Sequence, residues 1–244
     1  KGEQKITLKN KLIVRYNLDE FKALLQKAPY KTELNSKNSI IIELPMPDGS
    51  SNKFIINRNL LLPKSLNQRF PEIQSFDGQG IDDPSAILKL DITPKGIHAM
   101  VLSGINEDYF IDPYSNEDDE YYIVYWKKDF ISKKLAEMRC LVESDSKKLN
   151  SNNLPSGKLR AGDCKLRTYR LALACTGQYA SYHGGTTTLT MAAMTTTMNR
   201  VNGIFERDLS LTMVFVPNND QLIYLSSSND PYSNNDGVSM LGEN

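Results

Sequence analysis

Three consecutive stretches, AILKLDI (86–92), TPKG (93–96) and IHAMVL (97–102), decide how the first half of the chain folds. Leu88, Leu90 and Ile92 alternate with Lys89 and Asp91. That period of two is the pattern of a strand with one buried face. Proline and glycine in TPKG supply a turn, and a second apolar stretch returns beyond it. The reading is a β-hairpin.

The same grammar recurs on either side. SIIIEL (39–44), the turn-forming PMPDGSSN and KFIIN (53–57) read as another hairpin. Asp108–Asp112 and Tyr121–Trp126 add two more strand candidates. The one helix expected in this half lies near Asn17–Lys27, where Leu18, Phe21, Leu24 and Leu25 are helically spaced and Asn17 or Asp19 can cap it. The region therefore reads as a mostly antiparallel β domain.

Glu143–Cys164 (ESDSKKLNSNNLPSGKLRAGDC) breaks that grammar. Serine, asparagine, glycine, proline and charge dominate it, so it buries too little apolar surface to offset the entropy of ordering. It reads as an exposed linker, with Lys147, Lys148, Lys158 and Arg160 as candidate cleavage points. Beyond it, Tyr169, Leu171, Leu173 and Cys175 alternate with small or charged residues and read as a strand. Gly184-Gly185 interrupts the chain. Met191, Met194, Met198, Val201 and Phe205 then recur at spacings of three and four, an amphipathic helix of about five turns. LTMVFV (211–216) is apolar without alternation, as expected of a strand buried on both faces. Strand, helix and strand form a βαβ unit. Leu222–Leu225 is a further strand candidate, and Asn229–Gly237 a polar turn region. So little sheet leaves an open edge, and the expectation is that chain beyond Asn244 belongs to the same domain.

The fold class expected is α+β: a β-rich region over 1–142, a linker over 143–164, and the β-α-β start of an α/β domain over 165–244. Lysine and arginine balance aspartate and glutamate at 29 each, so no strong field draws the chain to nucleic acid. No apolar run reaches the roughly 20 residues of a membrane span. Three cysteines (140, 164 and 175) leave at least one unpaired within the chain. The only histidines are His98 and His183, so no His-Glu-x-x-His motif exists in this sequence.

Longer strings carry a family resemblance. Leu166–Gly185 (LRTYRLALACTGQYASYHGG) resembles the opening of the catalytic domain in bacterial reprolysin-like (adamalysin-type) zinc metalloproteases, which are secreted as precursors. The likeness continues through AAMTTTMNRVNGIFERDLSLTMVFVPNND (192–220) and DPYSNNDGVSMLGEN (230–244). Upstream, LPMPDGS, FPEIQSFDGQGIDDPSAILKLDITPKGIHAMV and YFIDPYSNEDDEYYIVYWKKDF resemble the pro-region of the same proteins.

The resemblance implies a metzincin fold that opens with strand, long helix and strand. It implies a zinc held by three histidines of a His-Glu-x-x-His-x-x-Gly-x-x-His motif, with the glutamate as general base on zinc-bound water. No position here matches that motif, so the chain as given is expected to be inactive, with zinc belonging to the full-length parent and protein or peptide as its substrate. Cys140, in MRCLVESD, stands where such precursors place a cysteine whose thiolate holds the zinc in the latent state. Leu141 replaces the usual following glycine, while Val142 fits. Cys164 is the rival ligand. The resemblance also implies a contact between pro-region and catalytic domain, and an extracellular location.

Plainer readings stand beside these. Cys175 faces with Leu171 and Leu173 and is expected to be a core thiol, or one half of a disulfide to a later cysteine. His98 and His183 are expected to be structural. Glu117–Glu120 and Asp82-Asp83 have the composition of a calcium site or of a solvated turn, and the turn is expected. The tail from Tyr232 is faintly like a calcium loop in Asn234, Asp236, Gly237 and Glu243, but lacks the first aspartate. The alternative function is a secreted β-rich binding or surface module without catalysis.

Overall fold

The computed structural model describes residues 4, 6–31, 39–115, 120–131, 163, 165–233, 240, 242 and 243. Its first part is one sheet of eight strands: β1 (Leu12–Arg15), β2 (Ile40–Pro45), β3 (Ser51–Arg58), β4 (Gln74–Gly80), β5 (Ile87–Thr93), β6 (Gly96–Leu102), β7 (Tyr109–Pro113) and β8 (Tyr121–Trp126). Their order is β1-β8-β7-β6-β5-β4-β3-β2, antiparallel throughout. Both expected hairpins are present. In the second, Leu90 faces Ala99 and Asp91 faces His98 across β5 and β6. Gly96 turns the chain at φ 104, and a Cβ there would sit 2.7 Å from the Tyr122 hydroxyl, so the turn needs glycine for both reasons.

The sheet curls around α1 (Leu18–Leu25). Asn17 starts that helix by accepting a hydrogen bond from the Glu20 amide at 3.3 Å, and Asp19 and Glu20 sit favourably in the first turn. Phe21 and Leu25, one turn apart, enter a core with Phe54, Ile56, Phe76, Leu88 and Leu90. Each such side chain contributes about 1.5–3 kcal/mol of burial.

The second part holds β9 (Arg167–Leu171), α3 (Gly177–Tyr182), α4 (Thr187–Leu209) and β10 (Leu211–Phe215). β9 and β10 pair in parallel, so the expected βαβ unit is present. Thr186 caps α4 by accepting from the Leu189 amide, and Ser210 ends it in the left-handed conformation at φ 53.

Several local expectations are corrected. The polar side of β5 is not wet: Lys89 is 2% exposed and Asp91 1%, because α4 lies across it. β9 stops at Leu171 and does not run on to Cys175. There the Asn219 side chain accepts from the Leu173 amide at 2.7 Å and donates to its carbonyl at 3.0 Å, ending regular pairing. β10 is buried only at Phe215, since the sheet it belongs to has two strands and cannot cover both faces. Leu222–Leu225 forms no regular strand. Asn219–Leu222 is a 3-10 turn, and Ile223 makes a single bridge to Cys175. α2 (Lys64–Arg69), α3 and strands β1 and β4 were not foreseen.

Candidate functional site

The two parts meet along α4, which is buried on opposite sides. Met191, Met194, Met198 and Val201 form one stripe. Thr196, Asn199, Arg200, Gly203 and Glu206 form the other, about half a helical turn away. The apolar stripe shares a core with Phe215 and Cys175 of its own unit and with Leu61, Leu62, Leu66, Phe70 and Ile73 of the first part. The Phe215 amide donates to the Leu61 carbonyl at 3.0 Å, Arg69 pairs with Asp220 at 2.9 Å, and the Ser65 hydroxyl donates to the Pro217 carbonyl at 3.3 Å.

The polar stripe lies on the outer face of the sheet, where three buried clusters join it to β4, β5, β6, β7 and β8. In the first, the Lys89 ammonium donates to Asp77 and to Glu206, each at 2.7 Å. Lys31 and Asn59 complete the Asp77 shell at 3.0 Å each. Burial pushes the Asp77 carboxyl up, but Lys89 and Lys31 beside it outweigh burial and hold it below the usual value. Burial pulls the Lys31 ammonium down, and Asp77 more than restores it.

In the second cluster, the Thr196 hydroxyl donates to Asp91 at 2.6 Å, and the Asn199 amide donates to the Leu90 carbonyl at 3.0 Å. His98 Nδ1 lies 3.2 Å from Asp91, close enough for an ionic contact but without hydrogen-bond geometry. In the third, Arg200 donates to Asp112 at 2.6 Å, and the Tyr125 hydroxyl donates to the other oxygen at 2.8 Å. The Arg200 guanidinium stands 5.3 Å from the centre of the Phe110 ring, which stacks on Tyr125. Burial, then Asp112, pushes the Tyr125 phenol up. Burial pulls the Arg200 guanidinium down, but Asp112 reverses that.

Gly203 makes the close approach workable. A Cβ there would fall 2.8 Å from Met100 Cε and 2.9 Å from Lys89 Cγ. On the far side of α4, Asn202 clamps both backbone groups of Met213, accepting at 3.0 Å and donating at 2.8 Å. It thereby occupies hydrogen-bonding positions that a further strand beside β10 would use.

The residues singled out from sequence fall elsewhere. Cys140, Cys164, Lys147, Lys148, Lys158 and Arg160 lie outside the described residues. Cys175 is a free, buried thiol, and burial pushes its pKa up, so it is no activated nucleophile. His183 packs against the rings of Tyr179 and Tyr182. Asp83 braces two loops, accepting from Ser85 and from the Ser103 hydroxyl at 2.6 Å, and Asp82 accepts from the Lys53 amide. Of the acidic run, Glu120 pairs with Arg15, and 117–119 lie outside the described residues. Of the tail positions, Glu243 accepts from the Ser233 amide, and 234–239 lie outside the described residues. Among the described residues no three histidine, cysteine, aspartate or glutamate side chains form a group able to hold a metal ion. The described donor set fits neither zinc nor calcium. No helix among the described residues is long and apolar enough to cross a membrane.

Sequence reasoning missed Arg200, Glu206, Thr196 and Asn199. Their helical spacing was legible, but a polar stripe on a helix is ordinarily its wet side.

The fold thus defines an α+β protein in which a βαβ unit is held, through the polar side of its long helix, against an antiparallel sheet. Residues 165–244, which contain that βαβ unit, match the metallo-peptidase family M12B, reprolysin-like. A comparison with curated proteins finds no match.

Proposed function

We propose that this chain is the N-terminal portion of a secreted, reprolysin-like zinc metalloendopeptidase precursor. Residues 1–142 are the pro-region, 143–164 the linker cut on activation, and 165–244 the opening of the catalytic domain. The observation that carries the reading is the coincidence of the family match with the βαβ unit, in the order strand, long helix, strand. The seam along α4 supports a pro-region role for the sheet, because it binds the peptidase-like part through buried, mutually neutralising charges.

The chain alone hydrolyses no peptide on this reading, for it contains neither a histidine triad nor a described metal group. Cys140 is the candidate latency thiolate of the parent, and Cys164 its rival.

The test uses the natural protein that carries the histidine motif. Before cutting, it should cleave a generic peptide substrate slowly or not at all. After cutting between Cys140 and Leu166 it should cleave it, and a zinc chelator should abolish the activity. A parent that is equally active before cutting is no zymogen. A parent with no chelator-sensitive hydrolysis after cutting is no zinc peptidase, and the binding-module alternative then takes its place.

A further inference from the structure

Among the described residues, the hydrogen bonds and ion pairs of the seam join residues before 131 to residues after 165, far from any one point of connection between them. We propose that residues 4–131 and 165–233 remain bound to each other as two chains after the polypeptide between them is cut, with the outer face of the sheet as the receptor for the polar face of α4. This deepens the zymogen reading, on which its biological meaning rests: cleavage permits release of the pro-region but does not cause it.

The chemistry of the seam argues for retention. Separation would leave Asp112 without Arg200, Lys89 without Glu206 and Asp91 without Thr196 and Asn199. It would also uncover Leu66 and Phe70 on one side and Met191 and Phe215 on the other. Lys89, Asp91 and Asp112 sit out of water, so losing their partners is costly on the sheet surface. Each cluster also fixes the helix along its axis, with Glu206 on Lys89 and Thr196 on Asp91 of β5, and Arg200 on Asp112 of β7. The sheet therefore recognises this helix and not amphipathic helices in general.

The test takes the full chain with a site-specific protease recognition sequence inserted between Ser151 and Asn152. The chain is cut to completion and run on size exclusion at about micromolar concentration. The two pieces should co-elute, and should still do so in molar salt, where screening acts within about 3 Å and reaches exposed pairs first. In the cut chain, Arg200→Met should weaken association by at least about a hundred-fold. Asp112→Asn added to it should restore most of the loss, an outcome that a misfolded variant would not give. Separation of the unsubstituted pieces, or an affinity of the Arg200→Met pieces unchanged in a dilution series, overturns the proposal. The readout is association alone. If the pieces co-elute and the parent lacks peptidase activity, the protease reading falls and the complex stands. If the parent is a latent peptidase and the pieces separate, the complex falls and the reading stands.

Discussion

Replacing Lys89 by methionine separates the two views of the β5 strand most sharply. A lysine on a wet face would tolerate this change to within about 0.5 kcal/mol. In the structure its side chain is 1% exposed and its ammonium sits between Asp77 and Glu206, both at 2.7 Å. With Lys31, the cluster balances two cations against two carboxylates. Methionine keeps the volume and removes one cation, leaving a net negative charge under α4. Breaking a buried pair costs about 3–5 kcal/mol. The lower half of that range applies, because Asp77 keeps Lys31 and Asn59 and Glu206 can turn towards solvent. The expectation is about 3–4 kcal/mol, and for a chain of this size each kcal/mol lowers Tm by about 2–4 °C. Glu206→Gln in the same background should recover about half of the loss by removing the orphaned charge. Urea unfolding followed by Trp126 fluorescence measures both. A loss under about 1 kcal/mol for Lys89→Met, or no recovery in the pair, refutes the buried-cluster reasoning.

Gly203→Val should destabilise by about 1–3 kcal/mol, although valine is the better residue in a free helix, because its Cβ meets Lys89 and Met100. A thermal melt at or above the parent's would count against the close approach. Asn219→Ala should cost about 1–3 kcal/mol, since both backbone groups of Leu173 lose their partner at a residue with no exposure. Amide exchange should speed locally at Leu173, and uniform behaviour would argue otherwise. Asp77 sets an acid limb. Its folded pKa lies below the ordinary 3.8, so its contribution is complete above the unfolded value and is lost as pH falls through the folded one. Stability from this group should be flat from about pH 7 to 5 and fall below about pH 4, and Asp77→Asn should flatten that limb while lowering the neutral plateau. An unchanged acid limb in that variant would remove Asp77 from the account.

The parts of the fold legible in sequence are those whose signal is local. The hairpins of β2–β3 and β5–β6 and the Asn17 cap of α1 follow from alternation and turn chemistry. β4 was missed because QSFDGQG pairs two glycines with a buried aspartate. Gly78 lies flat under Leu88, and Asp77 is buried by its pairing with Lys89 on the neighbouring strand. The polar seam was missed for a related reason. Lys89, Asp91 and Asp112 on the sheet, and Thr196, Arg200 and Glu206 on the helix, each look solvated when read alone. Only their mutual pairing makes burial affordable, and pairing across more than 80 residues leaves no mark in local periodicity. The helical period of α4 was visible, but which of its stripes faces another part of the chain was not.

The central claim is that the polar side of α4 rests on β5 and β6. A Cβ on Gly203 would lie 2.8 Å from the Met100 methyl carbon, so that methyl stands against the helix backbone. A proton NOE experiment on methyl-labelled protein should show a strong cross-peak between the Met100 methyl and the Gly203 Hα. A Met100 methyl with no cross-peak to Gly203 or any other α4 residue, in a sample whose sheet resonances are otherwise native, would contradict the claim outright.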